Sequence, residues 1–362
     1  MSKKVMTEQQ ALYLRFVRDT LHGGPFDDSW QSIDWQSFYV FARQQALLGV
    51  VFDGMQALGD RLKGRVDQKL LLEWYSASEA IRRQNLLLNK RAVEVTQLFA
   101  GAGFRSCILK GQGNTLMYPH PLVRTSGDID IWIDADRKAI RQFVKSKCAK
   151  AEDGDMHIQF PIFDDVPVEV HYIPSHTSRP RDQRRLQQWF SSHAGPQFSH
   201  RVRLPETDAD VCVPTPEFNL VQQLSHLRSH FFVEGIGFRQ FVDYYFVLKN
   251  VRKDGQEEQL FDHLGMLKFA RGVMWIEHHC LGLEAERLVV APDEQVGRFI
   301  LQELLAGGNF GRYDQRYSTR KLGYLARGVT DTVRLLRLVP VFPADALWKI
   351  LRKIENQRWK LQ

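Results

Sequence analysis

Apolar positions recur along the first hundred residues with helical spacing. Leu12, Leu14, Phe16, Val17 and Leu21 predict a helix from Glu8 to His22, and Gly23-Gly24-Pro25 breaks it. The pattern resumes over Trp35 to Leu58 and again over Val66 to Ala100. The second stretch carries Leu70, Leu71, Trp74, Tyr75, Ile81, Leu88, Val93, Val95 and Phe99 before Gly101-Ala102-Gly103 turns the chain. The period then changes. Phe104 to Leu109 is a short β-prone run, and Asp128 to Asp134 alternates isoleucine with acidic residues, broken only by Trp132. Lys138 to Lys147 reads as an amphipathic helix. His157 to Phe163 and Val166 to Ile173 read as strands joined by an Asp164-Asp165 turn, and Arg201 to Val213 suggests a further strand or hairpin. From Pro216 the spacing is helical almost to the end. The expected organisation is a helical region over 1–100, an α/β core over 101–215 and a helical domain over 216–362.

Composition narrows the class. The 362 residues are 44% hydrophobic and 25% charged, which is ordinary globular usage. No apolar run approaches the roughly 18 residues that span a bilayer. The basic pair at Lys3-Lys4 has no apolar stretch behind it, so no signal peptide is read, and a cytoplasmic protein without membrane partners is expected. Cys107, Cys148, Cys212 and Cys280 are scattered without a C-x-x-C pair, which argues against a structural zinc site and a disulfide framework. The net charge is +7, with Arg316, Arg320, Lys321, Arg327, Arg334, Arg337, Lys349, Arg352, Lys353, Arg358 and Lys360 crowding the C-terminal region. Such a region attracts phosphate-bearing ligands or RNA, or forms solvated helix faces.

The alternating segment carries the chemistry. On a strand of period two, Asp128 and Asp130, with Asp134 beyond them, project to one side while Ile129, Ile131 and Ile133 enter the core. Neighbouring carboxylates repel unless a cation lies between them. Mg²⁺ takes carboxylate and phosphate oxygens, and two such ions about 4 Å apart serve phosphoryl transfer. Glu169, an acid within the apolar run Val166-Pro167-Val168-Glu169-Val170, is the candidate third ligand, with Asp165 a weaker substitute. Upstream, Gly111 and Gly113 permit close backbone approach to phosphate. Lys110 and Arg124 add positive charge there, or pair structurally with the acids. His171 shares the face of Glu169. His226 and His230, at i, i+4, read as a helix-packing pair in preference to zinc ligands. Arg239 is a candidate for nucleotide contact, or for an i, i+4 pair with Asp243. Tyr244, Tyr245 and Phe246 read as core.

These motifs resemble the nucleotidyltransferase superfamily with the DNA-polymerase-β-like fold, and more closely the bacterial family of uncharacterised nucleotidyltransferases. The matching residues are Lys110-Gly111, Tyr118-Pro119, Arg124, Asp128-Ile129-Asp130, Glu169-Val170-His171, His226 to His230 and Gly235 to Asp243. The resemblance implies an α+β protein with a small mixed-sheet, polymerase-β-like core flanked by N-terminal and C-terminal helical regions. It further implies catalytic and metal-binding roles for Asp128, Asp130 and Glu169, and nucleotide-binding roles for Lys110, Gly111, Gly113, Arg124 and Arg239. The cofactor would be Mg²⁺ or Mn²⁺ and the substrate a nucleoside triphosphate, whose nucleoside monophosphate passes to an acceptor that is a small molecule, a protein or an RNA. One position departs: Gln112 stands where the superfamily commonly has serine. The rival readings are an idle nucleotide- or partner-binding relative and a metal-dependent phosphohydrolase.

Overall fold

In the computed structural model, residues 5–317 and 324–360 are described; Arg320 and Lys321 of the basic region lie outside them. The N-terminal helices are α1 (Glu8–Leu21), α2 (Trp35–Gln44), α3 (Leu48–Leu58) and α4 (Gln68–Ala100). Thr7 caps α1 with a reciprocal box to Gln10, and Asp34 and Asp67 accept from the first-turn amides of α2 and α4. The single apolar stretch Trp35–Leu58 is split in two. The chain leaves the helical region at Gln45–Leu47, where Ala46 takes φ +56°, so the apolar period survives while the axis turns.

The strands are β1 (Ser106–Leu109), β2 (Ile129–Ile133), β3 (Glu152–Asp153), β4 (His157–Gln159) and β5 (Val168–His171), in the spatial order β1-β2-β5-β4-β3. Only β2 and β5 run parallel, which requires a crossover; α6 (Arg137–Lys147), β3 and β4 supply it. The protein is therefore α+β with a small mixed sheet. A separate hairpin pairs β6 (Arg201–Arg203) with β7 (Asp210–Cys212). The strand expected over His157–Phe163 ends at Gln159, because Pro161 has no amide to donate to a ladder. Two helices had no counterpart in the sequence reading: α7 (Pro180–Ser192) and the short α8 (Ala194–Gln197). The apolar content of α7 is hidden among Arg and Gln, with Leu186 and Phe190 its buried apolar residues. The C-terminal helices are α9 (Pro216–Val233), α10 (Phe238–Asn250), α11 (Glu257–His263), α12 (Leu267–Leu281), α13 (Glu294–Gly307), α14 (Tyr324–Leu338) and α15 (Pro343–Lys360). Among the described residues no helix is long and apolar enough to cross a membrane.

Two cores result, and they lie on opposite faces of the sheet. Ile108, Ile129, Ile131, Ile133, Val168 and Val170 pack with Leu88, Ala92 and Phe99 of α4 and with Ile140 and Val144 of α6. The other face belongs to a larger core shared by the N-terminal and C-terminal helices, which Cys107, Leu109 and Trp132 join. Trp132 meets Phe198 and stacks on Phe218 of α9 with ring centroids 5.7 Å apart. Helix α4 contributes Leu70 and Trp74 to one core and Leu88 onward to the other. Halfway along it, Asn85 donates to the carbonyls of Leu122 and Arg124, at 2.8 Å each, and pins the loop that enters β2.

The same loop is clamped from the far side by α3, since a Cβ built on Gly49 would lie 2.2 Å from the Val123 carbonyl oxygen. We expect Gly49→Ala to cost about 1–3 kcal/mol through forced displacement of this backbone. Thermal or urea unfolding checks it, and a wild-type midpoint would show that the loop yields freely.

Candidate active site

The register of β2 on β5 places Asp130 opposite Glu169 as Cα partners, on the face away from the isoleucines. Asp128 stands one residue before β2. β1 ends opposite Asp130, and the next residue, Lys110, takes φ +52° and ψ −132° as the chain turns into the five-residue helix α5 (Gly111–Thr115). The turn swings the Lys110 ammonium onto the acids, with Nζ 3.0 Å from Asp130 Oδ1. His171, two residues beyond Glu169, points to the same face, and its Nε2 lies 2.7 Å from Asp130 Oδ1 and 3.6 Å from Glu169 Oε2. From β4, Gln159 Nε2 donates to Glu169 Oε1 at 2.7 Å, and His157 Nδ1 is 3.3 Å from Glu169 Oε2.

These contacts set the protonation states. Burial opposes ionisation of Asp130, yet Lys110 and His171 hold its carboxyl well below the usual range. Asp128 is pushed up, first by the Asp130 charge and then by burial. Burial likewise opposes the Glu169 charge, but the hydrogen bond from His171 and the neighbouring His157 and Gln159 bring it down. Burial lowers His171, and its bonds to Asp130 and Glu169 more than reverse that. Asp128 thus records unrelieved negative charge beside a pair that Lys110 compensates only in part.

The acids open into a cavity of about 460 Å³ walled by the sheet and by the C-terminal helical region. Lys110, Gly111, Arg124, Asp128, Asp130, Glu169 and Arg239 all line it. Gly113 is not among them: its α-carbon faces Val213, where a Cβ would come within 3.1 Å of the side chain. The Gln112 amide is buried without a hydrogen-bond partner. Two acids weighed from sequence are engaged elsewhere, Asp134 with Arg105 and Asp165 with Arg91.

Arg124 reaches the cavity wall, but its charge is spent. Nε and Nη2 each donate to Asp243 of α10 at 2.7 Å, and Tyr118 donates to the same carboxylate at 2.7 Å. Burial disfavours both charges, and each partner restores the other: Arg124 is raised and Asp243 lowered. Arg239 does not take Asp243 at i, i+4. Its Nη1 donates to the Thr125 carbonyl at 2.7 Å, its Nε has no partner, and burial beside Arg124 lowers it to about 10. Tyr244, Tyr245 and Phe246 are core, as their sequence setting suggests.

The roof comes from α9, where His226 and His230 line the cavity with ring centroids 4.3 Å apart. Neither ring has a hydrogen-bond partner among the described residues. Burial, then the Lys110 charge, keeps both neutral, His230 at about 4. His157, His176, Phe310 and Arg312 also line the cavity and were not singled out from sequence. The only available signal was His157 two residues before Gln159 in a strand, and nothing local marked the other three. In the basic C-terminal region, Arg316 and Arg337 both pair with Glu303, at 2.9 and 2.7 Å.

Fold and cavity define a mixed-sheet α+β protein whose clustered acids, Asp130 buried among them, face a chamber roofed by helices. The sequence profile of the uncharacterised nucleotidyltransferase family matches residues 31–282, and the chain belongs to that family. A search of curated proteins gives no match. Among solved structures, the chain is similar to an antigenic nucleotidyltransferase-like protein from Paracoccidioides brasiliensis. The identity is 14% and the TM-score 0.30, over 56% of this chain and 95% of that one.

The buried Arg124–Asp243 pair generates a prediction. Asp243→Ala strands a guanidinium in the core and is expected to cost about 3–5 kcal/mol, most of it recovered in Arg124→Met/Asp243→Leu. Urea unfolding reads both. Because the folded Asp243 pKa is lowered, its contribution is full above the unfolded value of about 4 and is lost as pH falls through the folded value. The gap between wild type and Asp243→Asn should therefore close in acid, and a pH-independent gap contradicts this.

Proposed function

We propose that the chain transfers a nucleoside monophosphate from a nucleoside triphosphate to an acceptor hydroxyl. The observation that carries this reading is the juxtaposition of Asp130 and Glu169 as cross-strand partners, with Asp128 at the strand entry, inside a chamber also lined by Lys110 and Arg239. The donor set fits a divalent cation, since the upward push on Asp128 marks negative charge that Lys110 leaves uncompensated. Mg²⁺ or Mn²⁺ held by Asp128, Asp130 and Glu169 would neutralise the triphosphate and acidify the acceptor hydroxyl.

The chain's own groups supply the rest. Lys110 and Arg239 neutralise phosphate oxygens, and Gly111 lets the triphosphate lie close to the backbone. Arg124, saturated by Asp243, holds the β2 entry in place without grasping phosphate. Glu169 Oε2, whose sister oxygen is tied to Gln159, is placed to accept the acceptor's proton. The α9 roof limits water. Its neutral His226 and His230 offer hydrogen bonds to the acceptor while adding no charge.

A second reading, nucleotide binding without transfer, is favoured by one observation: Asp130 Oδ1 already has two cationic partners in Lys110 and His171. One experiment separates the two. The chain is incubated with each α-³²P-labelled nucleoside triphosphate, Mg²⁺ or Mn²⁺ and a cell extract, and label is traced into acceptor fractions. We expect transfer with one or more nucleotides, its loss on chelation, and a fall of roughly a hundredfold or more in Asp130→Asn with the fold intact by circular dichroism. Label that binds without transfer, or undiminished transfer in the variant, defeats the proposal.

A further inference from the structure

We infer that His157, Glu169 and His171 form a two-imidazole, one-carboxylate site for a divalent first-row transition-metal ion, chemically unlike an all-carboxylate Mg²⁺ site. The inference rests on the reading above only in taking Glu169 as a cation ligand.

The strand pairing makes the cluster. In the antiparallel ladder of β4 on β5, His157 lies opposite His171 and Gln159 opposite Glu169, so all four share one face. One ligand atom from each of His157, Glu169 and His171 lies within 4.8 Å of the other two, and among the described residues these three are the His, Cys, Asp or Glu group so disposed. The two rings are 5.2 Å apart between centroids. His157 Nδ1 is buried and faces Glu169 Oε2 at 3.3 Å, yet it makes no hydrogen bond. An orphan nitrogen beside a carboxylate oxygen is a pair that a shared cation satisfies.

The surroundings hold the ligands as metal ligands are usually held. His171 Nδ1 lies 3.4 Å from the Ile173 carbonyl, an acceptor only, which directs Nε2 inward toward Glu169 and Asp130. Gln159 binds Glu169 Oε1 at 2.7 Å and turns Oε2 toward the two rings. Two neutral imidazoles and one carboxylate suit Mn²⁺, Co²⁺ or Zn²⁺, whereas Mg²⁺ demands oxygen. Each ring binds through a nitrogen that carries no proton: a neutral ring keeps its proton on the other nitrogen, and a protonated ring releases one proton to solvent.

The test uses the full chain, stripped with EDTA and loaded with Mn²⁺ in a tenfold excess of Mg²⁺. Pulsed electron paramagnetic resonance then reads ¹⁴N coupling from coordinated imidazole, and competition with a chromophoric chelator reads Zn²⁺ affinity. We expect clear nitrogen coupling in wild type and in Asp128→Asn. His157→Ala should reduce the coupling and weaken Zn²⁺ binding roughly tenfold or more, and isosteric Glu169→Gln should weaken it comparably. Circular dichroism confirms that each variant is folded. Mn²⁺ bound without nitrogen coupling, coupling unchanged in both His157→Ala and His171→Ala, or no transition-metal binding overturns the inference. Coupling without nucleotide transfer supports this site and defeats the transfer reading; Mg²⁺-supported transfer without coupling does the reverse.

Discussion

The whole arrangement depends on two carboxylates held side by side on inner strands of one sheet. Asp130 and Glu169 occupy opposed positions of β2 and β5, on a face they share with Cys107, Leu109, Trp132, His157, Gln159 and His171. Desolvating such a pair is costly, and repulsion adds to the cost. The neighbourhood is built around offsetting it. An unusual backbone conformation at Lys110 delivers an ammonium to Asp130, His171 shares a proton with the same oxygen, and Gln159 fixes the far oxygen of Glu169. Asp128 is left short of compensation beside them.

A second buried charge pair connects this centre to the helices. Arg124, Asp243 and Tyr118 join the entry of β2 to α10, while Asn85 of α4 and the backbone contact at Gly49 hold the same loop from the N-terminal side. Helices from both ends of the chain therefore share a core, and those of the C-terminal region line the chamber over the sheet. A buried guanidinium saturated by a carboxylate adds rigidity and no free charge, and Lys110 and Arg239 are other cations that line the chamber beside the acids.

The carboxylate centre was legible because its signal is local. Alternation of Ile with Asp over Asp128–Ile133 states which residues share a face, and an acid at Glu169 between Val168 and Val170 stands out against its neighbours. Period two survives translation into structure, and the face assignments of Asp130, Glu169 and His171 follow from it. Gly113 shows the limit: its dipeptide neighbourhood resembles a phosphate turn, yet the hairpin residue Val213, a hundred positions away, occupies the space beside it. Arg239 and Asp243 were correctly spaced for a helical pair, but a partner from another segment satisfied Asp243 first.

By itself, then, the chain determined its helical flanks, every strand of the sheet but β3, the shared side of the acids and the lysine next to them, because periodicity and adjacency act over a few residues. Only the tertiary structure decided which cations meet which acids. It also decided that His157 stands across from His171, that α9 turns His226 and His230 into a cavity, and that Phe310 and Arg312 complete its wall. Those outcomes depend on strand order and helix docking, where the burial of Trp132 against Phe218 weighs more than the local preference of any polar residue.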